Sequence, residues 1–483
     1  LPPSVVAGLP VAVATPWKYV FARLRRAAAA IGLLVHSGRC LRAGGAMAID
    51  QAMHKIAGDQ PGAPHSEFAQ REAKRFVSEL GKLKGSYVKI GQMLALFGEH
   101  FLPPVLTEAL HQLEDSTQPL PWHTMEPAIR AALGPRYHEL DIQKNAIAAA
   151  SMAQVHRATI RSTGQSICLK VQYPGLAEVI DSDFDAVVRM LLLARWLKTG
   201  RDLDSWLAAM RAQLHIEMDY HNEMTMANQL DGHIAALANR TPATNIRYAL
   251  PRFYRDYCSK TTLAMDYIEG ENVNSATIAA LPQARRNALA QAMLDLFFLE
   301  VFDWELIHTD PNFGNYLIRL GDGETQPDEL VLLDFGAVKS MAADDLDHLR
   351  GVIAAGLESD MEAMIKGLQG LGWLVADASI EAQHSFADFC MHLLEPLQKP
   401  ETLPAEYLNA DGEYHWANSQ LIQRAGKAGV SKASSRHFTT PSKDFLMIAR
   451  KLTGVFTFIA ALNAEFNGYP LTRQHIERWR ENH

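Results

Sequence analysis

Cysteine is scarce in this sequence. Its four cysteines, Cys40, Cys168, Cys258 and Cys390, lie far apart and form no CxxC pair. That spacing excludes a disulfide-stapled miniprotein and a cysteine-built zinc site, and it favours a reducing, cytosolic-facing compartment. Long hydrophobic runs are also missing. A membrane-spanning helix needs about 20 apolar residues, yet Pro2, Pro3 and Pro10 interrupt the first apolar stretch, and the run from Ala27 to Val35 is too short. Nor is there an excess of positive charge: 46 Lys and Arg stand against 54 Asp and Glu, for a net charge of −8. Such a chain has no global electrostatic reason to grip nucleic acid. No internal repeat or low-complexity tract stands out.

What is present suits a large packed core. With 483 residues, 48% hydrophobic and 21% charged, the chain has room for two or three domains. The basic segment from Lys18 to Arg42 reads as a surface helix that packs on the body or rests on a membrane surface. The first residue is Leu1, which leaves a processed N-terminus or a lost anchor open.

Residues 57–66 form the first cluster of helix breakers, and Ser66 is placed to cap the helix after it. Phe76, Leu80, Leu83, Tyr87, Ile90, Leu94 and Phe97 then recur in steps of three and four, the period of a half-buried helix. Pro103 and Pro104 end that pattern. Helical stretches follow at 106–114 and 122–133. Residues 154–160 and 166–172 read as two strands joined by a turn at 161–164. Helical texture returns over 175–238, strand texture at 246–257 and 261–268. From 271 onward the chain reads helical, except for strand-like pieces at 316–319 and 330–334 about a polar turn. Residues 397–418 read as a loop.

The chemistry-bearing motifs lie inside that outline. His308-Thr-Asp-Pro-Asn-Phe-Gly-Asn315 supplies an aspartate and, five residues on, an asparagine; Leu332-Leu-Asp-Phe-Gly336 supplies a second aspartate at the end of an apolar strand. Phosphoryl transfer needs divalent ions to clamp phosphates and a carboxylate to orient the acceptor. Asp and Asn oxygens are suitable hard ligands for Mg²⁺. Order and spacing match the catalytic loop and DFG pair of protein kinases, with Asp310 as base and Asn315 and Asp334 as metal ligands. A DFG triplet alone would be weak evidence; HxDxxxxN followed by a strand and DFG is strong.

Upstream, Ile167, Leu169 and Val171 alternate with Cys168 and Lys170, so Lys170 can leave a buried strand toward a phosphate-filled cleft. By itself, Lys170 would be read as an exposed strand lysine. The helical segment around 216–230 offers Glu217, Asp219 and Glu223 as partners. On a single helix, residues six apart point about 120° apart, so Glu217 and Glu223 need separate partners. Without a lysine to hold, the same residues would be a solvated acidic face. Glycine is absent where a kinase folds a glycine-rich loop over phosphates: Ala148, Ala149, Ala150 and Ser151 stand there instead. Alanine makes positive-φ conformations costly, so the grip on phosphates must differ. Residues 262–270 resemble a strand and hinge that cradle adenine, with Met265 behind the base and Asp266 to Ile268 as hinge.

Together these residues resemble the UbiB/ADCK family of atypical protein-kinase-like proteins, linked with ubiquinone biosynthesis, over roughly residues 65–460. Its KxGQ motif appears as Lys89-Ile-Gly-Gln92, its ExD motif as Glu217-Met-Asp219, and its helix glutamate as Glu223, with the alanine loop and Gln154-Val-His156 nearby. The resemblance implies an α+β, two-lobed protein-kinase-like fold, with a β-rich N-lobe, a helical C-lobe and a helical KxGQ extension. The corresponding divisions are 1–62, 63–140, 141–270 and 271–483. It further implies ATP or ADP binding with Mg²⁺, catalytic roles for Asp310, Lys170 and Glu223, and regulatory roles for Lys89, Gln92, Glu217 and Asp219. In such proteins the KxGQ helix lies across the peptide site, so protein substrates are disfavoured. ATPase activity, or transfer to a small, lipid-like or quinone-precursor acceptor, is expected. Peripheral membrane contact, a homodimer and a cytoplasmic location fit the same picture.

The chain departs from ordinary kinases in carrying HTD for HRD and in lacking an evident APE segment. Two further readings use the same residues: a nucleotide-binding pseudokinase scaffold, and a small-molecule kinase of the aminoglycoside or choline type. The KxGQ and ExD elements argue against the latter.

Overall fold

The computed structural model describes residues 67–83, 86–97, 102–110, 119–193, 196–197, 203–237, 244–322, 326–375, 377–425 and 443–482. Cys40, Ser66 and the basic segment from Lys18 to Arg42 lie outside them. The described residues form two compact units, one from residues before 116 together with 178–208, the other from 116–177 together with 209–483.

In the first unit, helices Glu67–Leu83 and Ser86–Phe97 carry the stripe foreseen from periodicity: Phe76, Leu80, Ile90 and Leu94 are buried. Phe76 meets Trp196 edge-on, centroids 4.7 Å apart. Tyr87 is half-buried, and its hydroxyl and that of Ser86 both donate to Asp183. Lys89 and Gln92 sit half-buried on the second helix, flanking buried Ile90 and Gly91.

The second unit begins with strands β1 (Leu140–Ala149), β2 (Ala153–Ile160), β3 (Ser166–Gln172), β4 (Arg247–Ala249) and β5 (Thr262–Asp266). It continues with β6 (Leu306–His308), β7 (Tyr316–Arg319), β8 (Glu329–Leu332) and β9 (Val338–Ser340). Strands β1-β2-β3-β5 make an antiparallel sheet; β4-β8-β7 and β6-β9 make smaller ones. The β2–β3 hairpin turns where Gly164 takes φ +74°, at the site expected from the sequence. Ile167, Leu169 and Val171 are buried against Met125 and Ile129 of helix Trp122–Leu133, so Lys170 faces the other way as expected.

β1 was not foreseen. Ala148 and Ala149 belong to this strand, and only 150–152 form the turn. Register shifts between Ile142 and Ala148 hid the alternation that would have marked a strand.

The helical part is built on helix Gln283–Phe298, whose Leu289, Met293, Phe297 and Phe298 are buried. A π-helical turn, Leu299–Trp304, and Glu305 in the left-handed region redirect the chain into β6. Helices Ala343–Glu358, Lys443–Ala461 and Tyr469–Asn482 supply further buried residues of the same core. The architecture is α+β, as expected. Residues 397–418 contain short 3-10 turns and isolated bridges to Tyr414 and His415 in place of an open loop.

Candidate active site

Strand β3 delivers Lys170 to two carboxylates. Its Nζ donates to Glu223 Oε1 at 2.8 Å and to Asp334 Oδ2 at 3.0 Å, and it lies 5.5 Å from the centre of the Tyr220 ring. The two anions outweigh the burial penalty and hold the ammonium charged, far above the ordinary lysine range. Glu223 is buried, and that burial pushes its carboxyl up to about 7 despite Lys170. Asp334 is also desolvated, but Lys170 and the Gly336 N–H, which donates to Oδ1 at 3.0 Å, hold it well below the usual carboxylate range. Its side chain keeps 39% of its exposure, so a lone-pair face remains open.

Glu223 reaches Lys170 because the chain breaks its helix just before it. The segment read as one helix is two, Leu203–Met218 and Tyr220–Leu237. Asp219 Oδ1 accepts from the N–H groups of His221 at 3.0 Å and Asn222 at 3.3 Å, as an N-cap does. The 120° estimate therefore does not apply, since Glu217 and Glu223 sit on separate helices. An Asp ahead of three polar residues was the available signal. Glu217 accepts from Gln213 at 3.5 Å.

The catalytic-loop segment is tied to the segment that follows β8 and carries Asp334. Leu333 N–H donates to the Asn315 carbonyl at 3.0 Å, and His308 Nε2 meets the Asp334 carbonyl at 2.5 Å. Thr309 donates through its N–H and its hydroxyl to the Ala337 carbonyl. At the position where HRD has arginine, a buried threonine thus pins the loop to the segment after Asp334. Asn315 Nδ2 donates to Asp310 Oδ2 at 3.0 Å, leaving the amide oxygen as an acceptor. Asp310 Oδ1 accepts from Arg450 Nη2 at 2.9 Å.

Lys170, Glu223 and Asp334 are therefore in direct contact, as are Asp310 and Asn315, and the two sets share the Asn315–Leu333 backbone link. Among the described residues no group of three or more His, Cys, Asp or Glu gathers as a metal cage. One carboxylate and one amide oxygen are instead the donor set that Mg²⁺ uses when phosphates complete its shell.

The alanine turn is a closed hairpin. Ala150 N–H donates to the Ala153 carbonyl at 2.8 Å, and Tyr173 donates its hydroxyl to the Ala150 carbonyl at 3.0 Å. Ala148 and Ala150 are exposed and Ser151 is buried; among the described residues positive φ at non-glycine positions occurs elsewhere. Gln154 and His156 lie in the core: Gln154 pairs with the backbone of Leu120 and with His156, whose Nδ1 meets the Gln143 carbonyl at the irregular part of β1. They shape the strand beneath the turn. At the hinge, Met265 is buried and Ile268 half-buried, while Asp266 turns to Tyr254, 2.6 Å away, and to the Arg252 N–H.

Sequence reasoning missed Arg450, Tyr220 and the buried Lys451–Glu300 pair. Arg450 lies 140 residues from Asp310, on a helix whose pattern gave no sign of the partnership.

Comparison with known proteins adds the following. Residues 112–368 match the ABC1 atypical kinase-like domain. The chain is 26% identical over 408 residues to the atypical kinase coq-8, mitochondrial, of Caenorhabditis elegans, covering 84% of this chain and 51% of that protein. It is 26% identical over 437 residues to the atypical kinase COQ8, mitochondrial, of Saccharomyces cerevisiae, covering 90% and 82%. It thus spans about half the length of the nematode relative and most of the yeast one. The solved complex of Rv3197 with erythromycin from Mycobacterium tuberculosis shares the fold, at a TM-score of 0.55 and 21% identity, over 84% of this chain and 96% of that one.

Proposed function

We propose, since the chain belongs to the ABC1 atypical kinase-like family, that it binds ATP at the Lys170–Asp334 cleft and transfers or hydrolyses the terminal phosphate. The observation that carries this reading is Lys170 held between Glu223 and Asp334, with Asp310 and Asn315 anchored beside them through Leu333. Lys170 binds phosphate oxygens. Asp310 orients the acceptor hydroxyl or water and takes its proton as the bond to phosphorus forms. Met265 and the hinge 266–268 receive the base, and the alanine turn, stiffened by Tyr173, covers the phosphates. Asp334 and Asn315 would hold Mg²⁺, which supplies neutralisation of phosphate charge.

The quinone link rests on the resemblance to UbiB/ADCK proteins and on the COQ8 relatives. The acceptor class we infer is a small or lipid-like molecule, with Lys89, Gln92, Glu217 and Asp219 restricting protein substrates. No described helix is long and apolar enough to cross a membrane; peripheral contact through the Lys18–Arg42 segment is part of the proposal, as is a homodimer.

The test is a strain lacking the gene, assayed for its quinone pools. Rescue by the wild type and failure by Asp310→Asn supports the reading. Equal rescue by both removes phosphoryl transfer from the function. Purified protein that does not bind Mg·ATP in calorimetry removes the nucleotide site.

A further inference from the structure

We propose that Arg450 is a positioning residue for phosphoryl transfer, and that helix Lys443–Ala461 belongs to the catalytic apparatus. The proposal rests on Asp310 as the carboxylate that orients the acceptor. That carboxylate is fixed at both oxygens: Asn315 donates to Oδ2 at 3.0 Å and Arg450 to Oδ1 at 2.9 Å. Two bonds define the plane of the carboxylate and leave its remaining lone pairs in set directions, which is what an acceptor-orienting group needs. An arginine suits this task because its guanidinium is planar and permanently charged.

The helix cannot drift from the loop it serves. Arg450, Gly454 and Phe458 follow one another at four-residue steps along one face of the helix, and Lys451 lies on the neighbouring face. Lys451 is fully buried with both Glu300 oxygens beside its ammonium, Oε2 at 2.9 Å and Oε1 at 3.0 Å, and Oε2 also accepts the His308 N–H at 3.3 Å. Gly454 lies so close to Pro311 that a methyl group there would overlap the proline ring. Phe458 meets Phe313 edge-on at 5.6 Å. The loop is thus gripped on both sides of Asp310.

The Arg450–Asp310 pair is itself partly open, with side-chain exposures of 37% and 29%. Pairs so exposed contribute little to stability. Orientation is what it supplies.

The experiment measures Mg·ATP hydrolysis and calorimetric Mg·ATP affinity for wild type, Arg450→Ala, Arg450→Lys, Asp310→Asn and the double variant Arg450→Ala/Asp310→Asn. Arg450→Ala is expected to lower kcat about 10- to 100-fold, with KM and nucleotide affinity unchanged. Arg450→Lys should restore part of the loss. On the Asp310→Asn background, Arg450→Ala should add nothing, because it acts through Asp310. Additive losses, an unchanged kcat, or a loss confined to KM overturns the proposal while the ATP site stands. Wild-type protein that binds no Mg·ATP overturns both.

Discussion

Lys170, Glu223 and Asp334 share one buried charge network in which each member needs the others. Replacing Asp334 by Asn keeps shape and removes one anion, so Lys170 stays paired with Glu223 and the fold should hold. Mg·ATP hydrolysis is expected to fall by about two to three orders of magnitude, the scale of losing one preorganised electrostatic contribution, here the carboxylate that would hold Mg²⁺ against the phosphates. A coupled ATPase assay with a parallel melting curve checks this, and hydrolysis at the wild-type rate would refute the role given to Asp334. Glu223 gives the pH dependence. Its carboxyl ordinarily titrates at 4.5, and burial raises it to about 7. Its ionised form holds Lys170, so turnover should drop as pH falls through 7, and Glu223→Gln should remove that acid limb. The stability contribution has the opposite sign: a raised folded value favours the native state below 4.5, and that gain is lost as pH rises through 7. Asp334, held low by Lys170, stays ionised across the whole window.

At the scale of elements, the alanine hairpin is held by its own bonds to Ala153 and Tyr173 and takes no left-handed conformation. Glycine at position 150 would release about 1 kcal/mol of backbone restraint, enough to change the ATP-to-ADP affinity ratio several-fold. Calorimetric titration of Ala150→Gly with both nucleotides measures that ratio, and an unchanged value would show that backbone stiffness at 150 does not set the preference. Much of this element was legible in the chain: the β2–β3 hairpin, the face of Lys170, and the absence of glycine. β1 was not, because its register shifts break the period of two that makes a strand visible. The helix break at Asp219 was missed for a related reason. An apolar pattern on both sides runs through an N-cap without changing composition, so only the capping chemistry marks the boundary.

Across the whole chain, the motifs legible in sequence are those whose residues lie close together, such as Asp310 with Asn315. What sequence reading did not reveal are the long-range contacts outside those motifs: Lys170 with Asp334, 164 residues apart, was expected to meet at one site, whereas Arg450 with Asp310 was not. The ABC1 match ends at 368, yet helix Lys443–Ala461 supplies Arg450 to Asp310 of the catalytic loop and Lys451 to Glu300, which accepts the loop's His308 N–H. Lys451 Nζ lies 2.9 Å from Glu300 and 3.3 Å from the Tyr316 hydroxyl, and the pair is closed to solvent. Burial alone would lower the Lys451 pKa, but Glu300 overrides it and raises it above the ordinary lysine value. Removing one partner leaves the other charge buried and unpaired. Lys451→Met should therefore cost about 3–5 kcal/mol, a large part of a typical domain's stability of about 5–15 kcal/mol. Adding Glu300→Gln removes the stranded charge and keeps an acceptor for the His308 N–H, so the double variant should regain most of the loss. Denaturant midpoints of the wild type, both single variants and the double variant decide this. Losses that simply add would mean that Glu300 and Lys451 are not energetically coupled, and that the C-terminal helix is held to the catalytic loop by packing alone.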